Sequence, residues 1–204
     1  MADKRSGICY TQVESSHQPM KRIILASLAG AVIAFLWGFL SWEFLPWHQM
    51  NTFKNDAAVA QTISENAPEH GLYLLPRRQE SGPDAKAITE GPFVYAIVRP
   101  GELTAPWKLG RHLVISFCIQ LIGALIIALA IHRIRATRYI SRASVGPAMG
   151  LFAGVVMTLP YWNWFELPDS HSLSQVLDPF IAWTLAGLVI ATIIKPPRAR
   201  RIFS

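Results

Sequence analysis

Ile23-Ile24-Leu25-Ala26-Ser27-Leu28-Ala29-Gly30-Ala31-Val32-Ile33-Ala34-Phe35-Leu36-Trp37-Gly38-Phe39-Leu40 carries no charge over its whole length. It is entered through Lys21-Arg22 and left through Ser41-Trp42-Glu43-Phe44-Leu45-Pro46-Trp47-His48. A bilayer core of about 30 Å needs roughly 20 apolar residues at about 1.5 Å rise per residue, and Ile23 to Trp42 supplies them. The stretch therefore reads as a transmembrane helix. Three further apolar stretches follow, at 113–131, 145–161 and 179–194, the last extended back to Val176. With 204 residues, 51% of them hydrophobic, and a mean hydropathy of +0.29, the chain fits one small polytopic membrane domain.

The formal charge of +6 invites a nucleic-acid reading, but its distribution opposes it. Basic residues collect in alternate loops. The N-terminal tail, the loop after the second span and the C-terminal tail together hold twelve Lys and Arg against two acids, while the other loops hold seven against eleven. Lys and Arg beside short loops resist translocation, so this alternation places both termini in the cytoplasm. No nucleic-acid partner is expected; the lipid bilayer is. Cys9 and Cys118 fall in a cytoplasmic tail and a span, so no internal disulfide is expected.

The expected order is a cytoplasmic tail (1–22), a first span (23–45), an extracytoplasmic insertion (46–110), a second span (111–132), and a basic cytoplasmic loop (133–144). A third span (145–161), an outer loop (162–175), a fourth span (176–194) and a cytoplasmic tail (195–204) complete it. The fold class is thus an all-α membrane bundle of four helices with a small α+β insertion between the first two. Met20-Lys21-Arg22 admits two readings of what precedes it: translation starting at Met20, or a disordered cytoplasmic tail. The following apolar run exceeds a signal-peptide core, and bulky residues stand at the cleavage position, so an uncleaved anchor is expected.

Ala26, Gly30, Ala34 and Gly38 recur every fourth residue, as do Gly146, Gly150 and Gly154, with Thr158 continuing that row. Small side chains on one stripe allow close backbone approach, which matters in lipid because acyl tails supply no hydrophobic drive between helices. The two stripes suggest that the first and third spans cross each other. In the insertion, Asn55 to Ala67 reads as a helix capped by Asn55 and halted by Pro68 and Gly71. Leu72 to Leu75 and Phe93 to Val98 read as paired antiparallel strands flanking a mobile loop from Arg77 to Gly91. So thin a cap must lean on the helices, the lipid surface or a partner. The arginines of the 133–144 loop suit anionic head groups.

No Asp, Glu, Lys, Arg or His stands mid-span, which weighs against a pump or proton-coupled carrier acting alone. Ionisable groups collect instead at the outer boundary, in Glu43 and His48 after the first span, Glu166, Asp169 and His171 after the third, and Asp178 before the fourth, with Trp47, Tyr161, Asn163 and Trp164 among them. Glu43, His48, Glu166, Asp169 and His171 could furnish nitrogen and oxygen metal ligands, yet no ligand spacing supports that, and an aromatic anchoring belt with acids in its loop accounts for the same residues. No nucleophile elbow, phosphate loop or paired catalytic site is found, so no enzyme and no cofactor is expected.

Leu45-Pro46-Trp47-His48, Gly71-Leu72-Tyr73-Leu74-Leu75-Pro76, Gly91-Pro92-Phe93 and Leu159-Pro160-Tyr161-Trp162-Asn163-Trp164 give the chain from Met20 onward a resemblance to a group of small, uncharacterised bacterial inner-membrane proteins. The resemblance implies four helices and a bacterial inner-membrane location, and carries over no functional residue. The function expected is that of an accessory or scaffold protein packing with itself or a larger membrane complex. Two alternatives stand beside it: an oligomeric pore or small-solute carrier with an outer vestibule of Asn163, Glu166 and His48, and metal handling at the outer rim.

Overall fold

The computed structural model describes residues 17–76, 91–101, 109–134 and 136–196. Four helical stretches are long and apolar enough to cross a membrane, Met20–Phe44, Leu109–Ile134, Tyr139–Phe165 and Asp169–Ile193. The first, α1 (His17–Phe44), stops where the sequence dictates. A residue before proline is pushed out of the helical region, and Leu45, ahead of Pro46, has φ −94° and ψ 136°. Pro46 then opens a single 3-10 turn, Pro46–His48, that folds back toward the end of α1.

The insertion begins with α2 (Asp56–Asn66), whose cap is the expected one: the Asn55 side chain accepts from the Ala58 N–H at 3.0 Å. Because α2 is largely exposed, little else holds its first turn. Asn55→Ala is expected to cost it about 1 kcal/mol, visible as faster amide exchange at Ala58 and Val59 with the other helices unchanged. The strands β1 (Gly71–Leu75) and β2 (Val94–Val98) pair antiparallel, with Gly71 opposite Val98 and Leu75 opposite Val94. The loop expected between them lies, except for Gly91, outside the described residues, as does the tail before His17.

The chain continues through α3 (Leu109–Ile134), the short α4 (Tyr139–Ala143), α5 (Val145–Phe165) and α6 (Asp169–Ile193). The last two are longer than the sequence suggests. Pro160 removes one backbone donor, yet α5 runs on through Tyr161 to Phe165, and α6 begins seven residues before Val176. The 162–175 segment, expected as a loop, is reduced to residues 166–168 with Glu166 as a left-handed helix end at φ 53°.

Helix pairing departs from the expected crossing of the two small-residue stripes. Elements joined by a short connection tend to pack as neighbours, and the 166–168 turn lays α6 along α5 as its principal partner. The α5 row faces α6: a Cβ on Gly150 would stand 2.5 Å from the Pro179 carbonyl oxygen, and one on Gly154 2.8 Å from that of Val176. Gly146 meets Gly187 backbone to backbone. The α1 row divides differently. Ala26 and Ala34 are buried, Gly30 faces Ile190 of α6 and Ala124 of α3, and Gly38 has open space where a Cβ would go. On α6, Gly30, Gly146, Gly150 and Gly154 meet Val176, Pro179, Phe180, Trp183, Gly187 and Ile190, and Ala182, Ala186 and Ala191 of the same helix are buried as well.

Trp183 fills the junction of three helices. Its ring lies against Gly123 of α3, and its backbone and Cβ lie against Gly146 and Gly150 of α5. The apolar core gathers at the end of the bundle opposite the insertion, around Ile23, Ile127, Ile131, Ile190 and Ile194. At the insertion end the buried groups are polar instead, and they form the candidate site.

Candidate functional site

At the insertion end of α1 a tryptophan and a serine share one face, because Trp37 and Ser41 stand four residues apart. The Pro46 turn brings Trp47 and His48 back over them. Ser41 is fully buried; its Oγ accepts from the Trp47 indole N–H at 3.0 Å and lies 3.0 Å from His48 Nε2. The Trp42 ring stacks on the imidazole, centroids 4.2 Å apart and planes 2° from parallel, while Trp47 meets it edge-on. From α6, Asp178 closes the cluster. One carboxylate oxygen accepts from the Trp37 indole N–H at 2.7 Å, and the other stands 3.8 Å from His48 Nε2.

These groups clasp α1, the 3-10 turn and α6. Two of the hydrogen bonds tie the turn to α1 and one ties α1 to α6, and an indole N–H bonded to a carboxylate is a charge-assisted bond, stronger than one between neutral groups. The Ser41 hydroxyl, with one donor and two acceptor sites, can serve either tautomer of His48 at Nε2, and the ring nitrogen left over is Nδ1. That Nδ1 is buried and has no hydrogen-bond partner among the described residues.

Serine, histidine and aspartate in contact suggest nucleophilic catalysis, but the geometry opposes it. A triad needs its carboxylate on the ring nitrogen opposite the serine, to hold the tautomer and stabilise the imidazolium. Here Ser41 and Asp178 both approach Nε2. The hydroxyl is also sealed from any substrate. What the arrangement does is tie the last turns of α1 and the 3-10 turn to the body of α6.

The remaining rim residues do not join this cluster. Among the described residues no three His, Cys, Asp or Glu side chains assemble as a group that could hold a metal ion, so Glu43, His48, Glu166, Asp169 and His171 form no such set. Glu43, Asn163 and Glu166 are exposed. Asp169 accepts from the Trp162 indole N–H at 2.6 Å, and the His171 carbonyl accepts from Ser174 Oγ at 2.8 Å. Reading by residue type finds His48 and Asp178 but passes over Trp37, Ser41 and Trp42. The available signal was the Trp37–Ser41 spacing followed by a proline able to reverse the chain.

At the other end of the bundle, one arginine of the basic loop is drawn inside. Arg142 is 6% exposed and donates to the carbonyls of Ala136 and Thr137, each at 3.0 Å, and of Ala191 at 3.5 Å. Ala191 belongs to the last turn of α6, where carbonyls lack helical partners and the helix dipole favours a cation. Arg142→Ala is expected to leave these acceptors unmatched, costing about 1–3 kcal/mol, read as a lower thermal midpoint in detergent and faster exchange in the final turn of α6. Comparison with protein-family models, with curated proteins and with solved structures finds no match to this chain.

Proposed function

We propose that the protein is a multi-pass component of a bacterial inner membrane, both termini cytoplasmic, acting as an accessory or scaffold that packs with itself or with a larger membrane complex. The observation that carries this reading is the state of the polar rim. His48, which the carrier alternative places in its vestibule with Asn163 and Glu166, is engaged with Ser41 and the tryptophans around it and is only 9% exposed, and Asp178 beside it is bonded to Trp37 of α1. Chemistry that faces inward holds helices; chemistry that binds a solute must face a cavity.

The helix surfaces support the same role. Leu36, Phe39 and Leu40 stand exposed on α1, beside the open position at Gly38, and comparable residues cover the outward faces of α3 and α5. Most of that surface suits lipid; a partner helix needs only the part where backbones can approach. A photoreactive benzoylphenylalanine at Phe39 in the full-length protein is expected to yield one protein adduct of defined mass in membranes. Adducts to lipid alone, from this position and from matched positions on α3 and α5, would oppose the scaffold role. Solute flux through vesicles carrying the protein, abolished by Asp178→Ala, would favour the carrier alternative.

A further inference from the structure

The pairing register places Leu72, Leu74, Tyr95 and Ile97 on one face of the β1–β2 sheet. One end of that face is seated on α5: the Tyr95 ring lies 4.5 Å from Phe165 and 6.2 Å from Tyr161, centroid to centroid. At the other end, two residues along the strand and about 7 Å away, Ile97 sits opposite Leu72. There the helix contact has ended, and Ile97 and Leu72 are 75% and 65% exposed. On the reverse face Tyr73, Ala96 and Val98 are half-buried, and only the Leu75–Val94 end is open.

We propose that this sheet lies on the outer leaflet as an interfacial foot, with the Leu72–Ile97 pair set against lipid acyl chains. The inference rests on the membrane reading given above. The lipid is chosen as the occupant by continuity. Tyr161 and Phe165, the seat of the sheet, belong to the same last turns of α5 as the exposed Trp162 and Trp164, and Trp and Tyr settle at the boundary between head groups and acyl chains. Such a seat fixes the height of the sheet at that boundary. Neither strand carries a charged side chain. A two-stranded sheet in water normally guards its free edges with charge or proline, whereas one lying in an interface has no such need.

The test uses the full-length protein in vesicles of phosphatidylethanolamine and phosphatidylglycerol, with nitroxide labels and two quenchers, lipid-soluble oxygen and a water-soluble nickel chelate. The native Cys118, exposed on α3, is labelled in Cys9→Ser and serves as the span control. Ile97→Cys and Leu72→Cys are each labelled in Cys9→Ser, Cys118→Ala. The result expected is oxygen accessibility exceeding nickel accessibility at Ile97 and Leu72, with the same sign as at Cys118. Preference for nickel at both strand positions, with Cys118 favouring oxygen, would overturn the foot while leaving the membrane reading intact. Labels closed to both quenchers would replace the lipid with a protein partner, which also overturns it. Preference for nickel at Cys118 itself would remove the membrane reading and the foot together.

Discussion

Gly150→Leu is expected to give little or no folded protein, and Gly150→Ala to unfold measurably below the native protein in detergent. A Cβ at this position would stand 2.5 Å from the Pro179 carbonyl oxygen and 3.0 Å from both the Phe180 Cα and the Trp183 Cβ. The first two are backbone atoms of a helix, which cannot swing aside as the end of a long side chain would. Even alanine must therefore push α5 away from α6. Overpacking of this kind costs about 1–3 kcal/mol for a small group and more for a large one, and here it falls on the bundle's most extensive helix pair. Gly38→Ala supplies the contrast. Nothing lies within 4 Å of a Cβ there, so the higher helix propensity of alanine, worth up to about 1 kcal/mol, is expected to leave stability unchanged or raise it. Equal thermal midpoints for Gly150→Ala and the native protein would remove the glycine seam from the account.

Ser41→Ala is expected to be nearly as damaging, for a different reason. The hydroxyl is fully buried and serves two partners, the Trp47 indole N–H and His48 Nε2. Its removal takes that hydrogen bond from the buried His48 and the half-buried Trp47, and an unmatched buried polar group costs about 1–3 kcal/mol. Asp178 separates hydrogen bonding from charge. Asp178→Asn keeps a carbonyl oxygen for the Trp37 N–H and is expected to lose less than Asp178→Ala, which keeps none. The check is the indole N–H resonance of Trp37 in the protein labelled with nitrogen-15: retained with a modest shift in the asparagine variant, moved to a solvent-exposed position in the alanine variant. Identical stabilities for the two would mean that the 2.7 Å contact holds nothing.

Hydropathy alone located the four long helices, since apolar runs of this length have few alternatives in a chain of this composition. Asn55 made one boundary legible through a local rule that needs no tertiary context, and Pro46 ends α1 by another such rule. The helix pairing was not legible. Regular small-residue rows on α1 and α5 suggest each other, while the α6 residues that meet their glycines, Val176, Pro179, Trp183 and Ile190 beside Gly187, are mostly bulky and form no such row. Likewise Pro160 and Pro46 follow the same Leu-Pro pattern, yet one lies inside a helix and the other ends one. At Pro160 the aromatic contacts of Tyr161 and Phe165 with Tyr95 accompany the extra turn, and such contacts arise only when the insertion is folded. For the site, residue chemistry pointed to His48 and Asp178 as candidate surface groups. That His48 faces inward follows from the chain reversal at Pro46, which joins it to Ser41 across seven residues; that Asp178 does follows from the packing of α6 on α1, which joins it to Trp37 across 141.

The scaffold role is tested most directly by native mass spectrometry of the full-length protein released gently from its own membrane, with lipids and partners retained. A homo-oligomer or a stoichiometric complex with another membrane protein is the predicted result, and its masses would identify the surface around Gly38 and Phe39 as the first to mutate. A lone monomer, persisting across detergents mild enough to keep bound lipid, would contradict it.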